Sequence, residues 1–452
     1  MQYFSTNHAV PEVDLAHALL QGQAGDRGLY LPRKIPLIDR ELLRCARDLS
    51  YPELAAELLA PYAVGVFDHD ELTEICHEAY TFPVPLEPVD GPRWVLRLDQ
   101  GPTASFKDFA ARFMGRALGK LVRDRGQELL ILTATSGDTG SAVAHAFLGV
   151  AGIRVLVLFP EGEVSDRQRK QMTTLGENVA TIAVDGKFDD CQALVKRAFA
   201  DPELAELHLS SANSINIGRL LPQSVYYVHA AAKLADIAGG EEVVFAVPSG
   251  NFGDLMGGVL ASHGGLPVAR FVVATNANDE VPRFLETGDY RKIEPSRKCI
   301  SNAMNVGHPS NLARLVTLYG GRMDEAGVLQ TRPDLAALRQ DLYAVSISDD
   351  ETRATIGRVH REHRTILEPH GAVGWAGLER FVAEHPAHAG TTGICLETAH
   401  PAKFPEEVRA ITGVDPELPA SLEGLDDRPE RHGEMDGSYE QFKAHLQREY
   451  VA

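Results

Sequence analysis

From residue 91 onward, short apolar runs alternate with stretches whose apolar residues recur at helical spacing. The runs are LLILTAT, RVLVLF, VATIAV, VVFAVP, RFVVAT and TGICLE. A turn follows each of them and, in most cases, a helical stretch comes next. This alternation is typical of parallel βαβ units with helices on both faces of the sheet. We therefore predict an α/β fold in which ligands lie at the carboxyl ends of the strands.

Residues 1 to 90 follow a different pattern, in which helical periodicity dominates. Helices are predicted near residues 39–48, 51–60 and 70–80. The proline-rich stretch TFPVPLEPVDGP, residues 81–92, cannot sustain a helix or a central strand and predicts a linker. We expect a mainly helical N-terminal domain over residues 1–90 and a second domain over 91–414.

The end of the chain is polar. Residues 415–437 are rich in turn formers and are expected to wrap the surface of the protein. SYEQFKAHLQREY then predicts a closing helix, with Ser438 and Gln441 at the spacing of a capping box. Residues 415–452 are thus expected to form a C-terminal wrap and helix.

The net charge of the chain limits the classes of partner that it can bind. The chain has 63 acidic and 44 basic residues, a net charge of −19, which argues against a nucleic-acid or anionic-membrane surface. No apolar run is long enough to span a bilayer, and the start lacks the pattern of a secretory signal, so we expect a cytoplasmic protein. Five widely spaced cysteines without a CxxC pair favour reduced thiols.

Three histidines lie close together in sequence, at His360, His363 and His370. His360 and His363 lie at the end of the charged helical pattern DETRATIGRVHREHR, and His370 follows it. A pattern of this kind is typical of a solvated helix face. We therefore expect a solvated face and no metal site.

The stretch PTASFKDFAARF, residues 102–113, follows the predicted strand 95–98. Its apolar spacing predicts a helix with Lys107 in the first turn, where the helix dipole disfavours an isolated cation. A lysine that forms a Schiff base with pyridoxal phosphate would relieve this conflict. The alternative from these residues alone is a surface lysine.

Two glycine-containing turns also end strands and open helices. PSGNFGDLMGG combines Gly250 and Gly253 with a helix N-terminus, which suits either a phosphate or a tight structural turn. TATSGDTG offers hydroxyls and backbone amides that suit a carboxylate. The alternative for the second turn is an ordinary helix start capped by Asp138 or Ser136.

SANSINIGR and ETAHPAKF are less distinctive by themselves. Arg219 offers a planar fork for phosphate oxygens, with Asn213 and Ser214 as neutral donors, although a surface arginine would fit the same pattern. ETAHPAKF, which contains Thr398, reads only as a loop.

Together, in this order and across most of the chain, these five motifs resemble the threonine synthases. These are pyridoxal-phosphate enzymes of the tryptophan synthase β family, also called fold type II. The resemblance runs from DRGLYLP near the N-terminus to PAKF near the C-terminus. It implies two doubly wound parallel-sheet subdomains behind the N-terminal domain, and a subdomain over about residues 130–235 that closes over the substrate.

The resemblance also implies the activity and the site. O-phospho-L-homoserine and water would give L-threonine and phosphate, with pyridoxal 5'-phosphate bound to Lys107, in a monomer or a homodimer. The implied contacts of the cofactor phosphate are Gly250, Asn251, Phe252, Gly253 and Asp254, and Thr398 would contact the pyridine nitrogen. The implied contacts of the substrate carboxylate are Thr135, Ser136, Gly137, Asp138 and Thr139, and those of the substrate phosphate are Asn213, Ser214 and Arg219.

The chain departs from the family pattern at Asp99 and Gln100, where relatives often have histidine. His400 and Lys403 receive no role from the resemblance. Two alternatives stay open: a phospho-lyase or dehydratase of the same fold, and a regulatory protein that binds pyridoxal phosphate without catalysis.

Overall fold

The N-terminal region is mainly helical. The computed structural model describes residues 1–135 and 137–451, apart from the side chain of Asp189. The first elements are β1 (Tyr3–Ser5), α1 (Leu15–Gln21), β2 (Tyr30–Pro32), α2 (Arg40–Cys45), α3 (Tyr51–Ala63) and α4 (His69–Ala79). Strands β1 and β2 pair antiparallel. Capping boxes led by Ser50 and Asp68 begin α3 and α4, so the three predicted helices are confirmed.

The middle of the chain alternates strands and helices. These elements are β3 (Leu86–Asp90), β4 (Arg93–Arg97), α5 (Lys107–Arg125), β5 (Leu129–Ala134), α6 (Asp138–Phe147), β6 (Ile153–Pro160), α7 (Asp166–Thr173), β7 (Val179–Asp185), α8 (Phe188–Ala200), β8 (Leu209–Ser210), α9 (Gln223–Leu234), β9 (Val243–Pro248) and α10 (Gly253–His263). Helix α5 packs against both α4 and α6 and so joins the N-terminal region to the rest of the molecule.

The last part continues the alternation. Its elements are β10 (Val268–Thr275), α11 (Glu280–Thr287), α12 (Leu312–Leu318), β11 (Arg322–Met323), β12 (Leu329–Thr331), α13 (Leu335–Asp341), β13 (Leu342–Ser346), α14 (Asp349–His363), α15 (Pro369–Glu384), β14 (Thr392–Glu397), α16 (Pro405–Thr412), β15 (Gly433–Asp436) and α17 (Tyr439–Tyr450). None of the helices in the described part of the chain combines the length and apolar character needed to cross a bilayer.

Two parallel sheets form the centre of the fold. The first has the order β13-β10-β9-β14-β4-β3, parallel except for the β4–β3 pair, and the second has the order β15-β7-β6-β5-β8, parallel throughout. Apolar residues of their strands are buried against the covering helices. The predicted α/β class with two doubly wound parallel sheets is confirmed.

Two short strands lie where the sequence predicted other structure. Residues 86–90, expected as part of a linker, form the edge strand β3, where Pro88 is tolerated because an edge strand need not donate every ladder hydrogen bond. Residues 433–436, expected to wrap the surface, form β15 on the edge of the second sheet. The predicted closing helix is present as α17, and Ser438 caps it by accepting a hydrogen bond from the Gln441 amide.

Candidate active site

Lys107 is the first residue of α5, at the carboxyl end of β4. The loop before it folds around the buried carboxylate of Asp108, which accepts hydrogen bonds from the amide (2.8 Å) and hydroxyl (2.7 Å) of Thr103. Gly101 leaves room for this carboxylate, because an added Cβ would lie 2.4 Å from Asp108 Oδ2. The loop therefore fixes where the Lys107 side chain begins.

The Lys107 side chain is largely buried. Its Nζ is 3.8 Å from Asp138 Oδ2 and 4.6 Å from the centre of the Phe106 ring, and its side chain is only 14% exposed. Burial lowers the pKa of this amine. The carboxylate of Asp138 acts in the opposite direction and raises the pKa, while the positive charges of Lys403 and Arg219 lower it further. A lowered pKa increases the fraction of neutral, nucleophilic amine.

The turn between β9 and α10 has the shape of a phosphate cradle. Phe252 adopts a left-handed conformation with φ of 62° just before α10, and no side chain of the described residues caps the first amides of that helix. Such free amides bind anions. At Gly250 an added Cβ would lie 2.9 Å from Met304 Cα and 3.0 Å from the Ala303 carbonyl oxygen, so this turn is closely packed on one side.

Asn251 connects this cradle to the SANSINIGR loop. Its side-chain amide donates to Ser214 Oγ at 2.6 Å, and its Oδ1 accepts from the Ser310 amide at 2.6 Å. Gly253 approaches the same loop, since an added Cβ would lie 3.3 Å from Ser214 Cβ. The predicted cofactor-phosphate and substrate-phosphate residues are therefore neighbours.

Asp254 differs from the other residues of the cradle. Its carboxylate Oδ1 accepts hydrogen bonds from Tyr226 (2.5 Å) and Tyr227 (2.8 Å), and burial raises its pKa to about 6. A carboxylate held in this way cannot donate to a phosphate. If Asp254 contacts the cofactor phosphate, its backbone amide makes the contact.

The SGDTG loop has an organised backbone. Thr135 Oγ1 accepts hydrogen bonds from the amides of Gly137 (2.9 Å) and Gly140 (2.8 Å). Gly137 has φ of 142°, and an added Cβ would lie 2.5 Å from the Gln168 side chain, so this position requires glycine. The hydroxyl of Thr135 and the amides of Gly137 and Gly140 are thus used inside the loop, and the amides of Asp138 and Thr139 at the start of α6 are left to bind an anion.

Asp138 is the first residue of α6 and Gly137 precedes it as the N-cap, so the expected alternative of Asp138 as N-cap is wrong. Within the described residues no side chain caps this helix. Thr139 is half-buried in its first turn. Ser136, the other candidate cap and a predicted carboxylate contact, lies outside the described residues.

Arg219 is buried, only 3% exposed, at the end of the 3-10 turn Ile217–Arg219. Its Nη1 donates to the carbonyl of Ala212 at 2.6 Å, while its Nε is buried with no hydrogen-bond partner among the described residues. Burial lowers its pKa to about 10, so the guanidinium is charged at neutral pH. Oδ1 of Asn213 is likewise buried without a described partner. Polar groups left in this state indicate a ligand site.

Thr398 lies directly after β14 and is 6% exposed. Its carbonyl accepts a hydrogen bond from the Phe106 amide at 2.9 Å. This contact places the β14 end beside the lysine loop, and it brings the last of the five motifs to the same region of the molecule.

Two buried cations near the site were not predicted. Arg314 donates to the carbonyls of Tyr30 (3.0 Å), Ser214 (3.0 Å) and Ile215 (2.6 Å) and so supports the SANSINIGR loop. Lys403 is fully buried and lies 2.5 Å from Asp138 Oδ1. A charged residue inside an otherwise apolar pattern, as in NLARLVTL, was the available signal for Arg314.

His370 also lies elsewhere than predicted. It is buried, contacts Glu368 through Nδ1 at 2.5 Å and accepts from the Ala303 amide through Nε2 at 3.0 Å. The solvated-face interpretation is therefore wrong for this histidine, because it lies past the charged helix and at the start of α15. Its contact with Ala303 supports the segment that packs on Gly250. The described residues contain no cluster of three side chains suited to a metal.

Gly250→Ala is expected to weaken binding of pyridoxal phosphate about tenfold or more, because the added Cβ collides with backbone atoms of residues 303 and 304. Gly390→Ala is the matched control, since an added Cβ there meets no atom within 4 Å. Titration of each full-length variant with the cofactor measures the effect. Equal affinities would contradict the assignment of this cradle.

Comparison with known proteins identifies the family. The model of pyridoxal-phosphate dependent enzymes matches residues 82–396, that of the threonine synthase N terminus matches 2–80, and that of the threonine synthase C-terminal region matches 371–446. The chain is 41% identical to a threonine synthase of Haemophilus influenzae over 99% of both chains.

Solved structures agree with this result. The structure of pyridoxal-phosphate-bound threonine synthase from Brucella melitensis has a TM-score of 0.92 and 37% identity, and each chain is covered completely. Threonine synthase from Escherichia coli has a TM-score of 0.88 and 37% identity, with 99% of this chain and 100% of that chain covered. The chain therefore belongs to the threonine synthase family of pyridoxal-phosphate-dependent enzymes.

Proposed function

We propose that the chain converts O-phospho-L-homoserine and water into L-threonine and phosphate, with pyridoxal phosphate as cofactor. The observation that carries the proposal is the position of the Lys107 amine, 3.8 Å from Asp138 at the first turn of α6. The electrostatic influence of Arg219 and Asp254 also reaches this amine. Two anion sites and a nucleophilic amine in one pocket suit a phosphorylated amino acid.

The residues present fit pyridoxal phosphate. Lys107 would bind it covalently, and the free amides at the start of α10 would hold its phosphate next to Gly250. A hydroxyl at Thr398, unlike an aspartate, would leave the pyridine nitrogen largely unprotonated. When bound, the cofactor supplies an electron sink that makes protons on Cα and Cβ of the substrate removable.

Lys107 is the residue placed to move those protons. Once the substrate amine has displaced it, its Nζ is free to accept the proton from Cα and then from Cβ. Electron density at Cβ drives phosphate from Cγ. Cγ then gains a proton to become the methyl group of threonine, and Cβ receives the hydroxyl of a water molecule. A proton returns to Cα, and the remaining proton leaves with the phosphate.

Arg219 would stabilise the phosphate as it leaves. Its buried Nε, free of a described partner, can donate to a phosphate oxygen. The side-chain amide nitrogen of Asn213 and the hydroxyl of Ser214 lie on the same loop as neutral donors. Stabilisation is largest where charge develops, so this contact should act on the leaving step. Amides of the loop around Gly137 would orient the substrate carboxylate.

We further propose an N-terminal domain over 1–90, a catalytic domain over 91–414 and a subdomain over about 130–235 that closes on the substrate. The separate sheet β15-β7-β6-β5-β8 supports this division. Strand β15 belongs to that sheet and α17 packs on α8. The end of the C-terminal segment 415–452 would therefore move together with the closing subdomain.

The remaining features of the proposal concern the setting of the protein. Five free cysteines, three of them buried, support a reducing compartment such as the cytoplasm. The net charge of −19 argues against nucleic acid as a partner. Either a monomer or a homodimer is compatible with the proposed site, because the assigned residues all come from one chain.

One assay tests the function. The purified protein, loaded with pyridoxal phosphate, should release phosphate from O-phospho-L-homoserine and form L-threonine in equal amounts. A keto acid in place of threonine would favour the phospho-lyase or dehydratase alternative. Absence of any turnover in a protein with bound cofactor would favour the regulatory alternative.

Thr398→Asp should raise the protonated fraction of the pyridine nitrogen, because an aspartate partner holds that proton. The variant is therefore expected to release keto acid and to undergo transamination more often than the unmodified enzyme. Product partition and the visible absorbance of the bound cofactor measure this change, and Thr398→Ser serves as the control that keeps the hydroxyl. If the aspartate variant partitions like the serine variant, Thr398 does not contact the ring nitrogen.

A further inference from the structure

Lys403 and Asp138 form a buried ion pair next to Lys107. Lys403 ends the 3-10 turn Pro401–Lys403 after β14, and its side chain has no exposed surface. Its Nζ lies 2.5 Å from Asp138 Oδ1 and donates to the Thr103 carbonyl at 2.9 Å. Lys403 thereby connects the loop before Lys107 to the first residue of α6.

The carboxylate of Asp138 contacts two lysines at different distances. Oδ1 contacts Lys403 and accepts from Gln168 Nε2 at 2.9 Å, while Oδ2 is 3.8 Å from Lys107 Nζ. Coulomb attraction decreases with distance, so Asp138 interacts more strongly with Lys403 than with Lys107. Burial alone would raise the pKa of Asp138, but Lys403 and, to a lesser extent, Lys107 hold it well below its usual range. Asp138 is therefore ionised.

The charges that face Lys107 come from four elements. Asp138 lies on α6, Lys403 on the turn after β14, Arg219 on the turn before α9, and Asp254 on α10. The cations Lys403 and Arg219 balance Asp138 and, when it is ionised, Asp254. The buried carboxylate of Asp108 also acts on Lys403 and Arg219, although burial raises its pKa. The cations Lys403 and Arg219 oppose a further ammonium at Lys107.

We propose that Lys403 is a positioning residue that neutralises Asp138 and so favours the neutral form of the Lys107 amine. This inference rests on the proposed function, in which that amine attacks an aldehyde and then accepts protons, both of which require its neutral form. Neutralisation has a second effect. Asp138 lies in the loop assigned to the substrate carboxylate, and its paired charge repels that carboxylate less than a free one would.

The test measures the protonation of Lys107 directly. The full-length chain is freed of cofactor with hydroxylamine, treated with acetic anhydride across a pH series, and digested, and acetylation of Lys107 is quantified by mass spectrometry. Lys403→Met removes the charge and keeps most of the length of the side chain. It is expected to raise the midpoint of Lys107 acetylation by about one pH unit or more, because Asp138 then pairs with Lys107 alone.

Two further variants make the result specific. Asp138→Asn is expected to shift the midpoint downward, since it removes the carboxylate with the largest effect on the pKa of the amine. Lys170→Met removes a lysine that pairs with Asp426 near the surface, and it should leave the midpoint unchanged. The rate at which added pyridoxal phosphate attaches to Lys107 should also depend on pH. Its midpoint should be highest for Lys403→Met and lowest for Asp138→Asn.

An unchanged or lowered midpoint in Lys403→Met would overturn the proposal. Where that variant fails to fold, Lys403→Gln decides by the same midpoint, because it also removes the charge but keeps a hydrogen-bond donor for the Thr103 carbonyl. The acetylation midpoint does not depend on turnover. A shifted midpoint in a protein that makes no threonine would therefore refute the proposed function and leave the role of Lys403 intact.

Discussion

Lys107→Ala is expected to abolish threonine formation and, together with it, the visible absorbance of covalently bound cofactor. Both losses have one cause, since in the proposed function the same amine binds the cofactor and moves protons at Cα and Cβ. The pocket offers no simple substitute: Lys403 is buried 2.5 Å from Asp138 and bonded to the Thr103 carbonyl. An added small amine should restore a little activity, because it can replace the missing base.

The measurement requires a folded variant and a matched control. Lys120 lies on the same helix, α5, and pairs with Glu71 and Asp124 at the surface. Lys120→Ala should keep the absorbance and the rate of phosphate release of the unmodified enzyme. Appreciable activity of Lys107→Ala in the absence of amines, with a normal circular dichroism spectrum, would refute the role of Lys107.

The sequence predicted the framework well, because the framework depends on periodicity. Continuous apolar runs such as LLILTAT and VVFAVP became β5 and β9, buried in parallel sheets. The apolar positions from Phe109 to Leu121 became the buried face of α5. These features depend on local spacing, which a single sequence contains in full.

The features that the sequence did not predict depend on contacts between distant segments. Strand β15 is the short polar segment GEMD, which has no strand alternation and is ordered by pairing with β7. Lys403 acquires its role from Asp138, and Arg314 from carbonyls of two other loops. A buried cation is indistinguishable from a surface one until its partners are known.

The candidate site also combines features that the sequence predicts with features that depend on contacts between distant segments. Motif order and resemblance gave the candidate site residues, and the structure brings Asn251 to Ser214 and Thr398 to the lysine loop. Which atoms are free to bind a ligand could not be predicted. Thr135 Oγ1 is occupied by the amides of Gly137 and Gly140, and the Asp254 carboxylate by two tyrosines, so we expect the remaining amides at these two helix starts to be the donors.

Arg219→Ala is expected to reduce kcat/KM by an amount equivalent to about 2 to 5 kcal/mol, the usual cost of deleting one side of a buried charged contact. The side chain is 3% exposed and its Nε has no partner in the described part of the chain, so a bound phosphate would meet an already desolvated donor. Because the phosphate gains charge as it leaves, kcat should fall as well as KM rise. Pure ground-state recognition would change KM alone.

Arg219→Lys is the informative companion variant, since it keeps the charge but loses the planar fork. It should lie between the alanine variant and the unmodified enzyme in kcat. Cofactor absorbance should survive in both variants, because the cofactor phosphate is assigned to the turn before α10 and not to this loop. Near-normal kcat/KM in Arg219→Ala would exclude Arg219 from the substrate phosphate site. Loss of cofactor from that variant would mean that Arg219 serves the cofactor phosphate instead.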